Sequence, residues 1–339
     1  MDLNTIWFLL VGILFTGYAV LDGFDLGMGP LLFAVKTDEE RRIFLNAIGP
    51  IWSGNEVWLV TGGGALFAAF PEVYATVFSG FYDAFMLLLF ALIFRAGAIE
   101  FRGQRPEAGW RRTWDISFAV GSLASALLIG VALGNIVWGI PLDARHEFHG
   151  SFVTLLHPYA LLVGVTTVAL FVMHANLYLV LKTAGSLQQK LMGWTTRTVP
   201  AYLVLFIVLN VVTIFACPQI KSALGQRWLL LGTAATLSFA ITLNILREVR
   251  LKRDGRAFIC SSLSIVLLMF QFGAGVYPNM VFSVPDLANS LNIHNGASTQ
   301  KSLQFMFYVA MIGVPIVLTY TASIYYIFRG KVVLTEESY

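Results

Sequence analysis

Four polar residues stand in apolar surroundings that give them no ordinary use. Asp22 and Asp25 interrupt Leu21-Asp-Gly-Phe-Asp-Leu-Gly-Met-Gly-Pro30. Asn55 and Glu56 follow Trp52, Ser53 and Gly54 in the stretch from Ile48 to Phe70. A spacing of three puts Asp22 and Asp25 about 60° apart on one helix face. Two carboxyls there repel if both ionise, so one is expected to hold a proton. Asp22 lies about 28 Å along a helix that starts at Leu3, and Glu56 about 9 Å into a helix that starts at Pro50, at about 1.5 Å per residue. If these are consecutive, oppositely directed spans, Asp22, Asp25 and Glu56 meet at one membrane level near one face. Carboxyls inside an apolar span are costly and mark function by default. The chemistry they suit is proton or cation entry. The plainer alternatives are helix-end carboxyls wetted by cytoplasmic water, or a Glu56 that pairs with a polar neighbour in a tightly packed helix.

Composition sets the class of element that must carry these groups. Of the 339 residues, 57% are hydrophobic and 12% charged, with a mean hydropathy of +0.74. A soluble domain carries about twice that charge. The 27 Phe and 8 Trp suit lipid contact and interfacial belts. The net charge of +3 needs no nucleic-acid partner, and no linker divides the chain. An all-α integral membrane protein in a single membrane domain, 1–339, is expected.

Apolar runs of about 20 residues cross a bilayer. Nine are expected, at 3–33, 50–70, 73–100, 114–138, 153–181, 198–217, 227–247, 257–277 and 304–328. Pro50 is expected near the first turn of the second, and Gly62, Gly63 and Gly64 further along it allow close helix approach. Gly23 and Gly27 form a similar pair in the first. Of the 22 Lys and Arg residues, 18 fall on one set of flanks, which makes the N-terminus external and the C-terminus cytoplasmic. The N-terminus lacks a basic leader and a small-residue cleavage site, so the first span is expected to be retained. Cys217 and Cys260 fall at opposite membrane ends, too far apart to bridge, and no Cys/His metal pattern occurs; no metal is expected.

The remaining polar groups read more plainly. Asp83 is expected mid-membrane in the third span, hydrogen-bonded to a neighbour. Arg95, Glu100 and Asp115 flank the inner ends of the third and fourth spans as candidates for a structural ion-pair network. His157 and His174 share the fifth span seventeen residues apart. Two imidazoles on one haem need matched depth, usually from different helices, so no haem ligand is expected in this chain.

The motifs resemble those of subunit II of the cytochrome bd-type quinol oxidase family. The resemblance runs through Asp22-Gly-Phe-Asp-Leu-Gly27, Glu40-Arg-Arg42, Asn46 to Trp58, Gly62 to Pro71 and Phe78-Ser-Gly-Phe-Tyr82. It continues through Phe94-Arg95, Trp114-Asp115, Gly130 to Asn135, Tyr277-Pro278 and Ser298-Thr299. It covers nearly the whole chain and is densest over 17–140. It implies two four-helix bundles (1–140 and 151–277) and a peripheral ninth helix (304–328), in a bacterial inner membrane. It implies that a partner, subunit I, holds haem b558, haem b595 and haem d and the quinol site. There dioxygen is reduced to water with cytoplasmic protons and no pumping. The family also allows for a small single-span accessory subunit, bound membrane lipid and a structural quinone.

On that resemblance this chain supports the haem subunit and helps line proton and dioxygen routes. Asp22, Asp25, Ser53 and Glu56 are the proton-path candidates, and Trp52 and Trp58 are candidates for dioxygen access or packing. One position departs from the family pattern: Ser53 stands where an acidic residue is usual. A hydroxyl can relay a proton but cannot store charge, and Glu56 is the nearest replacement. The chain alone is expected to contain no complete catalytic site. Two other function classes are a secondary transporter, suggested by glycine-rich helices and midplane polar groups, and a passive membrane scaffold.

Overall fold

The computed structural model describes residues 2–334, the side chains of 222–224 excepted. Among the described residues, eight helices are long and apolar enough to cross a bilayer: Leu3–Leu32, Tyr82–Gln104, Ala108–Trp138, Pro158–Lys182, Gly185–Ala216, Gly225–Arg250, Asp254–Val276 and Gln300–Ile327. The expected second span is present as a helix, Trp52–Ala69, but is not among the eight. Asn55, Glu56, Thr61 and its glycines dilute its apolar character. Pro50 lies in the turn ahead of it, not in its first turn.

The first expected span is two helices, α1 (Leu3–Leu21) and α2 (Gly23–Leu32), which meet at Asp22. An amphipathic helix that the hydropathy pattern passes over follows, α3 (Asp38–Ile48). It opens with a reciprocal cap: the Thr37 hydroxyl accepts from the Glu40 amide, and the Glu40 carboxylate accepts from the Thr37 amide. Thr-x-x-Glu is the sequence signature of that cap. One face of α3 buries Phe44, Leu45, Ala47 and Ile48. Helix α4 (Trp52–Ala69) then runs into α5 (Pro71–Gly80), and α5 into α6 (Tyr82–Phe101). The expected third span is thereby split at Phe81. Asp83 sits in the first turn of α6, exposed, near the start of the spanning helix Tyr82–Gln104 and not near the middle of the expected third span.

Helices α7 (Ala108–Trp138), α8 (Pro158–Lys182), α9 (Gly185–Ala216), α10 (Pro218–Arg250) and α11 (Asp254–Val276) complete the packed part. Several begin earlier than their apolar runs, because polar turns extend them beyond the lipid. Helix α10 kinks at Arg227, where φ is −127° and ψ is 29°. A short antiparallel pair, Asn279–Val281 with Leu291–Asn292, folds the loop before α12 (Gln300–Ile327). None of the apolar window of helix α12 is buried, and the helix touches the rest near its two ends, through Leu303 and Tyr325.

Lipid tails are as apolar as Leu, so helices here associate through close packing and polar contacts. Helix α2 is wedged between α7 and α8. A methyl at Gly27 would lie 1.9 Å from the Phe171 carbonyl oxygen of α8, so only glycine fits. A methyl at Gly130 of α7 would lie 2.7 Å from Gly164 Cα of α8. Above this wedge Phe24 stacks on Tyr178, with ring centroids 4.0 Å apart. Asp22 and Asp25 are carried on the wedge itself.

Candidate functional site

Asp22 and Asp25 are fully buried, and one guanidinium serves both. Arg95 of α6 donates to Asp22 at 2.7 and 3.2 Å, a two-pronged pair. The same Nη2 lies 3.8 Å from Asp25 Oδ2. Asn55 of α4 donates to Asp25 Oδ2 at 2.9 Å, and Tyr325 of α12 donates to Asn55 Oδ1 at 2.8 Å. Asp25 Oδ1 is buried with no hydrogen-bond partner among the described residues. Two carboxyls facing one cation leave an excess negative charge, and buried charge must be paired or neutralised. One proton on the pair would complete the charge balance, and among the described residues Asp25 Oδ1 is the one oxygen of the two carboxyls left without a hydrogen-bond partner.

The other proton-path candidates flank this cluster. Glu56 is half-buried, within electrostatic range of Arg95 and Asp22, and makes no hydrogen bond or ion pair among the described residues. Ser53, on the first turn of α4, is exposed and also lacks one. Trp58 is buried, and a methyl at Gly17 would lie 2.3 Å from its ring. Trp52 is half-buried against the core that contains Ile48 and Phe44. Both tryptophans pack between helices.

Arg95, Glu100 and Asp115 do not form one network. Arg95 turns to Asp22, Glu100 is exposed, and Asp115 belongs to a second cluster nearer the basic end. There Arg102, 1% exposed, donates to Asp115 at 2.6 Å and to Asp38 at 2.6 Å. Arg111 donates to Asp38 at 2.8 Å, and Arg41 lies 3.6 Å from Asp115. Partial burial works against the Asp38 carboxylate, but the Arg102 hydrogen bond and the charges of Arg102, Arg111 and Arg42 hold its pKa below the usual value.

Sequence reasoning missed Arg95 as the partner of Asp22, Tyr325 as the tie to the last helix, and the Arg102–Asp38 pair. The signal for the first was present. Arg95 interrupts an apolar run and must find a carboxyl within the membrane.

The site's residues sit in a chain whose sequence matches a known family. The profile described as "Cytochrome bd terminal oxidase subunit II" matches residues 3–328. The chain belongs to this family. It is 35% identical to the "Cytochrome bd-I ubiquinol oxidase subunit 2" of Escherichia coli K12, over 97% of this chain and 95% of that one. It is 32% identical to the "Cytochrome bd ubiquinol oxidase subunit 2" of Bacillus subtilis, over 98% and 97%. A solved structure of the bd oxidase from Geobacillus thermodenitrificans superposes with a TM-score of 0.80 at 15% identity, covering 97% of this chain and 99% of that one. That structural likeness carries the fold. Membership makes the chain a subunit of a terminal oxidase. Eight helices long and apolar enough to span, among the described residues, and bacterial relatives make it a multi-pass protein of the bacterial inner membrane.

Proposed function

We propose that this chain is the second, haem-free subunit of a quinol oxidase, and that its buried carboxyls carry protons toward dioxygen reduction in subunit I. Reduction of dioxygen to water consumes protons, and the bilayer core supplies none. A route must be lined by groups that exchange protons. The observation that carries the proposal is the single guanidinium shared by Asp22 and Asp25, with Asp25 Oδ1 unpartnered among the described residues. Asp22, held by two charge-assisted bonds, fixes Arg95. Asp25 holds the exchangeable proton, and Glu56 is the relay toward water. Ser53 lies at the mouth.

Fully buried His174 does not fit haem ligation. Both ring nitrogens of His174 are engaged, with Ser261 at 2.7 Å and the Val20 carbonyl at 2.9 Å. His157 caps α8. The family resemblance, not the geometry, assigns the haems b558, b595 and d and the quinol site to subunit I. A cavity of about 2100 Å³, lined mainly by apolar side chains with α1 and α11 contributing the most, fits the isoprenoid tail of a structural quinone. In this reading α4, about 27 Å long at about 1.5 Å per residue, is the ninth membrane-crossing helix. The helices up to α7 form one bundle, α8–α11 the second, and α12 stands outside both. The N-terminus is external and the C-terminus cytoplasmic.

The test is amide substitution in the assembled complex. Asp25→Asn and Glu56→Gln keep shape but remove the titratable proton. Haem spectra should be unchanged, while quinol-driven dioxygen consumption falls by at least tenfold and its pH dependence shifts. Normal turnover across the pH range would leave the carboxyls a purely structural role, as in a passive scaffold. A colourless preparation that co-purifies with no haem partner would instead favour a transporter.

A further inference from the structure

The cluster around Arg102 opens into a pocket that the proton route does not use. Its volume is about 630 Å³, and Leu32, Phe33, Asp38, Arg41, Arg111, Arg112, Asp115 and Ile116 are among its lining residues. Two features set it apart from an ordinary ion-pair cluster. The first is charge. The pocket's two carboxylates, Asp38 and Asp115, meet Arg102 beneath and Arg41, Arg111 and Arg112 around the rim, four guanidinium groups in all. Arg112 is exposed and makes no ion pair or hydrogen bond among the described residues. Arg111 Nε is buried without a hydrogen-bond partner among the described residues. Donor capacity is therefore left over after the internal pairs are made. The second is the opposite wall. Phe33 and Ile116, 60% and 43% exposed, continue the lipid-facing surface of α2 and α7. A soluble anion would have no use for that wall.

We propose that this pocket binds the phosphate headgroup of an anionic phospholipid. The phosphate lies against Arg111 and Arg112, and one acyl chain runs along Phe33 and Ile116. Basic pockets between membrane helices at the basic end are the usual setting for such headgroups. Guanidinium forks suit phosphate geometry better than a point charge does. Asp38 and Asp115 keep Arg102 in place beneath the pocket, and the remaining positive charge is met by the lipid. The headgroup would thus tie α3, the α6–α7 turn and α7 together.

Native mass spectrometry of the purified oxidase complex, with phosphatidylglycerol titrated after delipidation, tests this. Arg112→Gln removes a rim charge that supports no internal contact, so folding is retained. Arg112→Glu reverses the charge as a second variant. Loss of one basic contact should weaken phosphatidylglycerol retention about fivefold in Arg112→Gln, the factor that corresponds to about 1 kcal/mol per basic residue at an anionic surface. Retention should weaken further in Arg112→Glu. Phosphatidylcholine should bind all three proteins equally weakly, and millimolar inorganic phosphate should not displace phosphatidylglycerol. Equal phosphatidylglycerol retention by the wild type and both variants would overturn the proposal. Displacement by inorganic phosphate would also overturn it, in favour of a soluble anion.

Discussion

At the scale of residues, the site turns on an imbalance of charge. Among the described residues, Arg95 is the only cation paired with the two fully buried carboxyls, and two of its nitrogens face them. Removing it strands both. Arg95→Leu should cost about 3–5 kcal/mol, the range for breaking a buried pair from one side. The check is the yield of haem-loaded complex, which should fall sharply. Adding Asp22→Asn to that variant should restore part of the yield, because one stranded charge is gone. If Arg95→Leu alone assembles as well as wild type, the pairing is not structural. The carboxyls themselves were legible in the sequence, since an acid in an apolar run has few innocent explanations. Their partners were less so. Helical spacing says which face a residue occupies, not which neighbour a long side chain reaches. Asn55 to Tyr325 spans 270 positions, a separation no local pattern reports.

At the scale of elements, the apolar spans were readable and their breaks were not. Hydropathy windows average over Phe81 and Asp22, where the backbone turns while the composition stays apolar. They also pass over α3, whose apolar residues are too few to register. Its capping box marks its start. Helix α3 is held by Asp38 to Arg102 and Arg111. The Asp38 carboxyl has a folded pKa below its unfolded value of about 3.9. Its contribution is therefore present above about pH 4 and is lost as pH falls through the folded value. Hydrogen exchange of the α3 amides should be constant from pH 8 to pH 5, after correction for intrinsic rates, and should rise below about pH 4. Asp38 is partly exposed, so Asp38→Asn at neutral pH should cost less than about 1 kcal/mol.

Helix α2 makes the sharper case. Gly27→Ala places a methyl on a backbone carbonyl that cannot swing aside, and should cost about 1–3 kcal/mol through overpacking. Gly313→Ala, in a helix with open space around that position, should stay within about 0.5 kcal/mol. Thermal loss of the haem absorbance of the complex compares the two. Equal midpoints would mean that α2 is not wedged as described.

At the scale of the whole molecule, the distribution of Lys and Arg and the order of spans give an orientation: with nine crossings, the two ends of the chain lie on opposite sides. Reporter fusions after Arg112 and Arg256 should both read cytoplasmic, and one after Ser290 external. A cytoplasmic reading after Ser290 would remove a crossing from the second half. The proposed orientation would set the carboxyl cluster nearest the cytoplasmic face, where protons are available. The most direct measurement is proton uptake in a single turnover. Fully reduced complex in liposomes is mixed with dioxygen, with a pH indicator on the side that holds Arg112. The account predicts that Asp25→Asn forms the first oxygenated species at the wild-type rate, because that step needs no proton. Proton uptake and the later steps should both slow by tenfold or more. Uptake at the wild-type rate in that variant would contradict the account and move the proton route out of this chain.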